Sequence, residues 1–358
     1  MYDVIVVGAG PSGASSALFL ARRGVKVLIL EKRKLPRYKV CAGGTARFTF
    51  DLLDVPPTYF DAFPIGSIEI IYGDDSKTFP VPSNSIFTLL REQFDYKLTR
   101  LACKNGASLI DGEEVIGIEK DGDSLTVKTR LGHTFSSRYI VGADGVGSIV
   151  ARFVGEDFRY PMPLAVQKDV PEKNPLPVLR LVMGLVPMGY GWVFPKSGTL
   201  SIGLGAYRFP PREMPKILES IVERFSSGNS SLLAHPIPFY RGRRRIADDN
   251  IVLVGDSAKL VDPFSGEGIR NGIKSAKIAS EVVLEGLNKK TSLRVYTERV
   301  YRAMARELFL SWIISGIFYR FQERIYHRLD RYNMGEVLAN LLNERTSYSY
   351  LLRRIFRL

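Results

Sequence analysis

Short apolar runs bounded by glycine or a charged residue recur along the chain. They occupy residues 3–7, 25–31, 139–142 and 251–254. Runs of this length predict buried β-strands. Stretches with helical periodicity follow the first and the last run, at residues 14–23 and 269–283. The pattern therefore predicts strand–turn–helix units, which are the building blocks of α/β sheets.

The first turn, GAGPSG at residues 8–13, has the glycine spacing of a dinucleotide-binding loop. Gly8 allows the tight turn, Gly10 lets a pyrophosphate approach the backbone, and Gly13 lets the helix pack closely on the strand. Glu31 ends the second strand, where it can accept hydrogen bonds from ribose hydroxyls and disfavours a 2′-phosphate. The motif alone does not separate NAD from FAD, and a glycine-rich turn without a ligand is the simpler alternative.

A second strand–turn–helix unit, residues 251–283, favours FAD. FAD is long and is held at both ends, whereas an NAD-binding domain has no need of a second unit so far along the chain. Asp256 is predicted to bind the ribityl hydroxyls, and the backbone N–H groups from Gly266 through Gly268 to Ile269 are predicted to face the N1–C2 edge of the flavin. That edge gains negative charge on reduction, so a helix N-terminus there favours the reduced state.

A third segment, YIVGADG at residues 139–145, completes a recognisable set. GxGxxG, ADG, and GDS with PFSGEG together resemble the superfamily of FAD-dependent hydroxylases and reductases that has the para-hydroxybenzoate hydroxylase fold. The resemblance covers about residues 1–285. It implies cofactor contacts from Arg91, from the backbone of Val115 and from Asp144. An arginine on a helix surface is the alternative for Arg91.

Two further segments resemble the geranylgeranyl reductase family in particular. PRYKVCAGG, residues 36–44, keeps the spacing Tyr-x-x-Cys-x-Gly-Gly, although only one residue separates the proline from the tyrosine where the pattern has two. GYGWVFPK, residues 189–196, carries the aromatic-x-aromatic-x-Phe-Pro pattern of that family. Two separate matches on one flavin scaffold narrow the assignment to this family.

The Cys-x-Gly-Gly segment is expected to lie against the flavin ring. Gly43 and Gly44 have no side chains, so the backbone can pass flat along the ring. Cys41 would lie at the edge of the ring as a candidate catalytic proton donor, and a buried structural cysteine is the alternative. The predicted cofactor-binding residues are Gly8, Gly10, Ser12, Gly13, Glu31, Cys41, Ala42, Gly43, Gly44, Arg91, Val115, Asp144, Asp256, Gly266, Gly268 and Ile269.

The second family segment predicts a substrate pocket. Tyr190 and Trp192 alternate along a predicted strand, so they share one face, which would line an apolar cavity together with Phe194. An ordinary aromatic core cluster is the alternative. The surrounding sequence is rich in strand-like runs, which predicts a mostly antiparallel sheet over the flavin.

The predicted fold class is α/β, α+β overall, with a Rossmann-like FAD-binding domain, an inserted antiparallel substrate domain and a C-terminal helical segment. The FAD-binding domain is discontinuous and comprises residues 1–60, 88–156 and 240–285. Residues 61–87 and 157–239 form the substrate domain, and residues 286–358 form the helical region.

Charge distinguishes the C-terminal region from the rest of the chain. The net charge is +13, and residues 286–358 hold 14 Lys and Arg against six Asp and Glu. Arginines at 299, 302, 306, 320, 324, 328 and 331 fall on one helix face, and Leu308, Trp312, Phe318 and Ile325 fall on the other. This amphipathic pattern predicts contact with an anionic lipid surface, with a solvated face on a core-covering helix as an equal alternative.

Composition excludes several other classes. Two cysteines and three scattered histidines form no metal-ligand pattern, so no metal site is expected. The chain starts directly with a strand, and its longest late apolar stretch, residues 308–319, is too short to span a bilayer. We therefore expect a cytoplasmic protein, or one peripheral on the inner membrane face. Nucleic-acid motifs are absent, and no nucleic-acid partner is expected.

The family resemblance implies a FAD-dependent reductase that saturates isolated C=C bonds of isoprenoid (geranylgeranyl) chains, with archaeal-type ether lipids as the expected substrate. An isolated alkene has no carbonyl to polarise it, so protonation to a tertiary carbocation with hydride delivery is the expected route. The electron donor is open between NAD(P)H and a ferredoxin-like protein. An aromatic monooxygenase on the same scaffold and a non-catalytic lipid-binding flavoprotein are the alternatives.

Overall fold

The computed structural model describes residues 1–156, 161–207, 209–228, 230–289 and 291–355. In chain order the strands are β1 (Tyr2–Val7), β2 (Val27–Glu31), β3 (Gly44–Ala46), β4 (Phe63–Pro64), β5 (Ser67–Tyr72), β6 (Asp75–Pro80), β7 (Ile86–Thr88), β8 (Ser108–Asp111), β9 (Val115–Asp121), β10 (Ser124–Thr129), β11 (Thr134–Gly142), β12 (Leu164–Pro171), β13 (Val178–Met183), β14 (Gly189–Lys196), β15 (Thr199–Ala206), β16 (Leu233–Pro236) and β17 (Ile251–Leu253). The helices are α1 (Pro11–Ala21), α2 (Arg47–Leu53), α3 (Arg91–Lys104), α4 (Ile149–Phe153), α5 (Met214–Phe225), α6 (Ile269–Lys289), α7 (Val295–Val300), α8 (Arg306–Arg320), α9 (Gln322–Tyr326), α10 (Met334–Leu342) and α11 (Tyr348–Ile355). A π-helical turn, Tyr301–Ala305, joins α7 to α8.

Parallel strands form the centre of the first sheet, in the order β8–β2–β1–β11–β17. Every residue of β2 is buried, as expected for a parallel strand that is covered on both faces. Strands β10 and β9 extend β11 as antiparallel neighbours. Because β1, β2, β11 and β17 are parallel, the four segments that follow them meet at one edge of the sheet. Those segments carry the predicted cofactor motifs.

A second sheet has the order β16–β12–β15–β14–β13–β5–β6. Neighbouring strands are antiparallel except for β13 and β5, which are parallel. Strands β3, β7 and β4 form a small antiparallel sheet. Along the chain, each of these strands comes between a strand of the first sheet and a strand of the second. This architecture confirms the predicted fold class.

The domain boundaries stay predictions. Of the predicted segments, residues 157–160, 208, 229, 290 and 356–358 lie outside the described residues.

The C-terminal helices pack on the second sheet. Phe318, Tyr326, Leu329 and Leu338 join an apolar cluster with Ile68 and other residues of β5 and β6. No described helix is long and apolar enough to cross a membrane. This region therefore shares a core with the inserted sheet.

The residues of the predicted apolar helix face have different environments, because Leu308 is buried whereas Trp312 is exposed on α8. Its side chain is 50% exposed, beside the equally exposed Phe309, and the two rings stack 6.0 Å apart. Ser311 is buried instead, because its hydroxyl donates to Asp262 at 2.8 Å. A hydroxyl group that has a hydrogen-bond partner can occupy a buried position. The buried face of α8 therefore includes Ser311 and not Trp312.

Substitutions of two helix glycines test how closely α10 packs on β6. A Cβ at Gly335, in α10, would overlap the carbonyl oxygen of Pro80, whereas a Cβ at Gly316, in α8, would meet open space. We expect Gly335→Ala to lower the free energy of unfolding by about 1–3 kcal/mol through overpacking. Gly316→Ala should be neutral or stabilising by up to about 1 kcal/mol. Urea unfolding measures both, and equal effects would contradict the close approach of α10 to β6.

Candidate active site

One cavity of about 970 Å³ collects the predicted site residues. Its lining includes every predicted cofactor-binding residue except Gly13, together with Tyr190, Trp192 and Phe194. It runs from the edge of the parallel sheet, past the face of the second sheet, to the C-terminal helices. The predicted cofactor motifs and the predicted substrate aromatics are therefore neighbours in space.

The glycines of the first turn have different reasons to be glycine. Gly8 has φ +102°, and a Cβ there would overlap Ala143, while a Cβ at Gly13 would overlap the carbonyl of Gly8. Gly10 is different, because the nearest atom to its Cβ is the end of the Arg37 side chain at 3.9 Å. Gly8 and Gly13 are thus required by packing, and Gly10 leaves room in the cavity.

Glu31 holds the glycine turn in place. Its carboxylate accepts hydrogen bonds from the backbone N–H groups of Ala9, at 2.8 Å, and Arg33, at 3.1 Å. It also pairs with Arg37 at 3.2 Å, and Arg37 in turn donates to the buried Asp95 at 2.9 Å. The predicted ribose acceptor is therefore already part of a buried ionic network.

Arg91 belongs to the same network. Its guanidinium makes two hydrogen bonds of 2.9 Å to Asp95, and its side chain is only 10% exposed. Burial opposes the charge, but the Asp95 carboxylate more than offsets it and holds the pKa of Arg91 above its usual value. Arg91 is thus a buried, fixed cation beside the cavity.

Cys41 lies among cationic side chains. Its Sγ accepts a hydrogen bond from the N–H of Gly43 at 3.3 Å, and its carbonyl accepts one from the buried Lys196 at 2.8 Å. The Arg91 side chain belongs to the same cavity lining as Cys41. A Cβ on Gly43 would overlap the Leu89 carbonyl, so close packing requires this glycine.

Sequence reasoning missed a Lys39–His235 pair in the same wall. Lys39 Nζ lies 2.6 Å from His235 Nε2. Burial, assisted by the Arg91 cation, lowers the pKa of Lys39 to about 8, and burial with the nearby Lys39 lowers the pKa of His235 to about 4. Neutral His235 accepts the hydrogen bond at pH 7. The two residues lie far apart in sequence, so no local signal indicates the pair.

The aromatic residues of β14 form one wall, as their alternation predicted. Tyr190 donates to the carbonyl of Ser265 at 3.2 Å and stacks on Tyr319 at 6.1 Å. Trp192 lies flat over Gly203, where any Cβ would overlap the indole, and its buried Nε1 has no hydrogen-bond partner among the described residues.

The other predicted residues differ in whether their side chains already have partners within the protein. Ser12 packs against Gly255 and Gly272, where a Cβ would overlap its hydroxyl. Asp144 accepts from the N–H of Ile149 at 2.7 Å, at the start of α4. Asp256 is partly buried, and no hydrogen bond to its carboxylate is found in the part of the chain that the structure describes. Its acceptor atoms are therefore available to the cavity.

Comparison with known proteins agrees with this geometry. A family model described as the FAD binding domain matches residues 1–55 and 84–177. An uncharacterized protein of Methanosarcina barkeri is 30% identical over 325 residues, which is 89% of this chain and 84% of that protein. A digeranylgeranylglycerophospholipid reductase of Methanocaldococcus jannaschii is 27% identical, over 89% of this chain and 86% of that enzyme.

The fold is also that of a solved protein. The crystal structure of a geranylgeranyl bacteriochlorophyll reductase-like protein from Thermoplasma acidophilum superposes with a TM-score of 0.81 at 22% identity, over 97% of this chain and 92% of that one. The chain belongs to the geranylgeranyl reductase family. Like other members of this family it is a flavin-dependent oxidoreductase with FAD as its cofactor, which confirms the predicted family and cofactor.

The residues present fit FAD. The open space at Gly10 leaves room for a pyrophosphate at the N-terminus of α1, and the unengaged carboxylate of Asp256 suits sugar-alcohol hydroxyls. Gly266, with φ +72°, brings the turn before α6 to the cavity without a side chain. The individual cofactor contacts stay predictions.

Substitutions of Gly10 and Gly13 test whether each glycine leaves space for FAD or allows close packing within the protein. Gly10→Val should leave the fold intact and abolish FAD retention, because the side chain would fill the pyrophosphate space. Gly13→Ala should lower the thermal midpoint of the protein even without cofactor, because its Cβ would overlap Gly8. Flavin absorbance after gel filtration and calorimetry of the flavin-free protein measure the two effects. Full FAD content in Gly10→Val would contradict this assignment.

Proposed function

We propose that this enzyme saturates isolated C=C bonds of isoprenoid chains, and that its substrate is a geranylgeranyl ether lipid of archaeal type. The observation that carries the proposal is the continuity of the cavity. The predicted flavin turn borders the aromatic wall of β14, and the wall continues into apolar side chains of the second sheet and the C-terminal helices. These side chains are Ile68, Ile70, Leu179, Leu181, Met183, Phe318, Leu338, Leu341 and Leu342.

An apolar pocket suits the chemistry of an isolated alkene. Reduced FAD, when bound, supplies a hydride. The protein has to exclude water, hold the chain against the aromatic wall and provide a proton, because the alkene has no carbonyl that could stabilise added negative charge. Protonation would give a tertiary carbocation, which water would capture in a wet site. Tyr190, Trp192 and Phe194 would line this dry region.

Cys41 is the proposed proton donor. It carries an S–H group, lies in the cavity lining and accepts a hydrogen bond from the N–H of Gly43. Lys196 fixes the backbone of Cys41 through its carbonyl. A donor held at both its side chain and its backbone is preorganised for proton transfer.

The cavity lining disfavours the monooxygenase alternative. Hydroxylation of an aromatic compound calls for polar groups that orient a polar substrate, whereas the region beyond the aromatic wall is lined by aliphatic and aromatic side chains. A non-catalytic lipid-binding flavoprotein would bind FAD and lipid without turnover. We propose NAD(P)H or a ferredoxin-like protein as electron donor; anaerobic mixing shows which one bleaches the flavin absorbance.

The decisive experiment is an anaerobic turnover assay. The flavin of the purified protein is reduced with dithionite, a geranylgeranyl ether lipid is added, and the mass of the lipid is recorded. We expect mass gains in steps of two hydrogens. An unchanged lipid with reduced, bound flavin would refute this substrate, and oxygen-dependent hydroxylation of an aromatic compound would support the alternative.

The same assay tests Cys41. Cys41→Ala should lower turnover by roughly 10²-fold or more while FAD content is unchanged, because it removes the proposed donor. The matched control is Cys103→Ala, which changes the second cysteine of the chain, located on α3. This variant should turn over normally. Normal turnover in Cys41→Ala would exclude this donor.

We also propose that the C-terminal helices contact an anionic membrane surface. Phe309 and Trp312 are each 50% exposed and Phe321 is 41% exposed, on a surface that also carries exposed arginines. Aromatic rings that insert at the headgroup level, with cations around them, are typical of interfacial helices. The exposed position of Trp312 leaves its ring available for this contact.

Vesicle sedimentation tests the membrane contact. The double variant Phe309→Ala, Trp312→Ala should bind vesicles rich in anionic lipid at least roughly tenfold more weakly, because each ring removes more than about 1 kcal/mol of apolar burial. Leu131→Ala removes an apolar side chain that is 65% exposed on another surface and should bind normally. Unchanged sedimentation of the double variant would refute the contact.

A further inference from the structure

Glu267 is a buried carboxyl group that the predicted site residues do not include. It lies between Gly266 and Gly268, in the turn before α6, and its side chain is 4% exposed. It belongs to the lining of the active-site cavity. A carboxyl group in such a position affects any charge that develops in the cavity, because little water is present to screen it.

The partners of Glu267 leave its carboxyl group incompletely satisfied. Oε1 is 3.5 Å from the hydroxyl of Thr45, in β3. Oε2 has no hydrogen-bond donor among the described residues, although the Nε of Arg270 lies 3.3 Å away, and that Nε is itself without an acceptor. The Nη1 of Arg270 donates to the carbonyl of Leu342 at 2.6 Å. Arg270 therefore binds the end of α10 and forms an ion pair with Oε2 of Glu267 without donating a hydrogen bond to it.

The charged groups around Glu267 oppose one another. Arg270, from α6, favours the ionised form. Asp262, from the same turn, and Glu344, which follows α10, disfavour it. Burial is the largest effect, and with these neighbours it raises the pKa of Glu267 to about 7. Near neutral pH the carboxyl group can therefore gain or lose a proton.

We propose that Glu267 is a redox-linked proton-binding residue, which takes up a proton when the flavin is reduced and releases it when the flavin is oxidised. The inference rests on the proposed contact between this turn and the N1–C2 edge of the flavin. That edge becomes negative on reduction, and a second negative charge on Glu267 would be repelled. Two electrons from the reductant are then accompanied by two protons from solvent, one bound by the flavin and one by Glu267.

The proposal predicts how the midpoint potential of the flavin changes with pH. Below the pKa of about 7, Glu267 holds its proton in both states of the flavin and contributes nothing to the pH dependence. Above that pH the carboxyl group is ionised beside the oxidised flavin and protonated beside the reduced flavin. The midpoint potential should then fall more steeply with rising pH, by one additional proton for each pair of electrons.

Redox titration of the FAD-bound protein between pH 5.5 and 8.5 tests the proposal. One proton for two electrons corresponds to about 30 mV per pH unit. We expect the wild-type slope above pH 7 to exceed that of Glu267→Gln by about this amount, and the two slopes to agree at the acidic end. Glu285→Gln, which changes a carboxylate that is 41% exposed on the following helix, α6, should behave as wild type. Equal slopes for wild type and Glu267→Gln would overturn the proposal.

Infrared difference spectra of the wild-type protein provide a test that needs no variant. Above pH 7, reduction should produce a protonated-carboxyl C=O band that shifts in D₂O, and Glu267→Asp should retain it at a shifted frequency. Absence of such a band in the wild type would overturn the proposal even if Glu267→Gln loses its FAD. Neither measurement uses a prenyl substrate, so failure of the proposed substrate leaves both results interpretable.

Discussion

A single carboxylate oxygen, Oδ1 of Asp262, joins the turn before α6 to the C-terminal helices. It accepts hydrogen bonds from the backbone N–H groups of Phe264 and Ser265 and from the hydroxyls of Ser265, Ser311 and Tyr348, all at 2.8–3.0 Å. Hydrogen bonds to a charged group are worth about 1.5–3 kcal/mol each. The turn, α8 and α11 are therefore fixed to one point, and the cavity wall that the helices provide keeps its position relative to the cofactor motifs.

A second constraint links residues that the sequence presents separately. Glu31 and Arg91 are each predicted as cofactor residues from their motifs, but Arg37 and Asp95 connect them in one buried ionic chain. Arg37 and Asp95 are 58 residues apart, and no local pattern pairs them. Removing one partner of such a chain leaves a buried charge uncompensated, so these residues depend on one another.

The parts that could be predicted are those with a short-range physical signal. Apolar runs and glycine spacing indicate β1–α1–β2, and the period-two alternation of Tyr190 and Trp192 places both on one face of β14. The parts that could not be predicted depend on distant partners. Glu267 contacts Thr45, which is 222 residues away, and Ser311, the neighbour of the exposed Trp312, finds its acceptor in Asp262.

The chain has only two tryptophans, and their contrasting environments have an optical consequence. Trp192 lies 7% exposed in the cavity wall, where bound flavin would quench its emission by energy transfer. Trp312 is half exposed on α8, so its emission would be red-shifted in water and would move to shorter wavelength at a lipid surface. The intrinsic fluorescence of the protein thus contains two separable reporters, one for occupancy of the cofactor site and one for the outer face of the C-terminal helices.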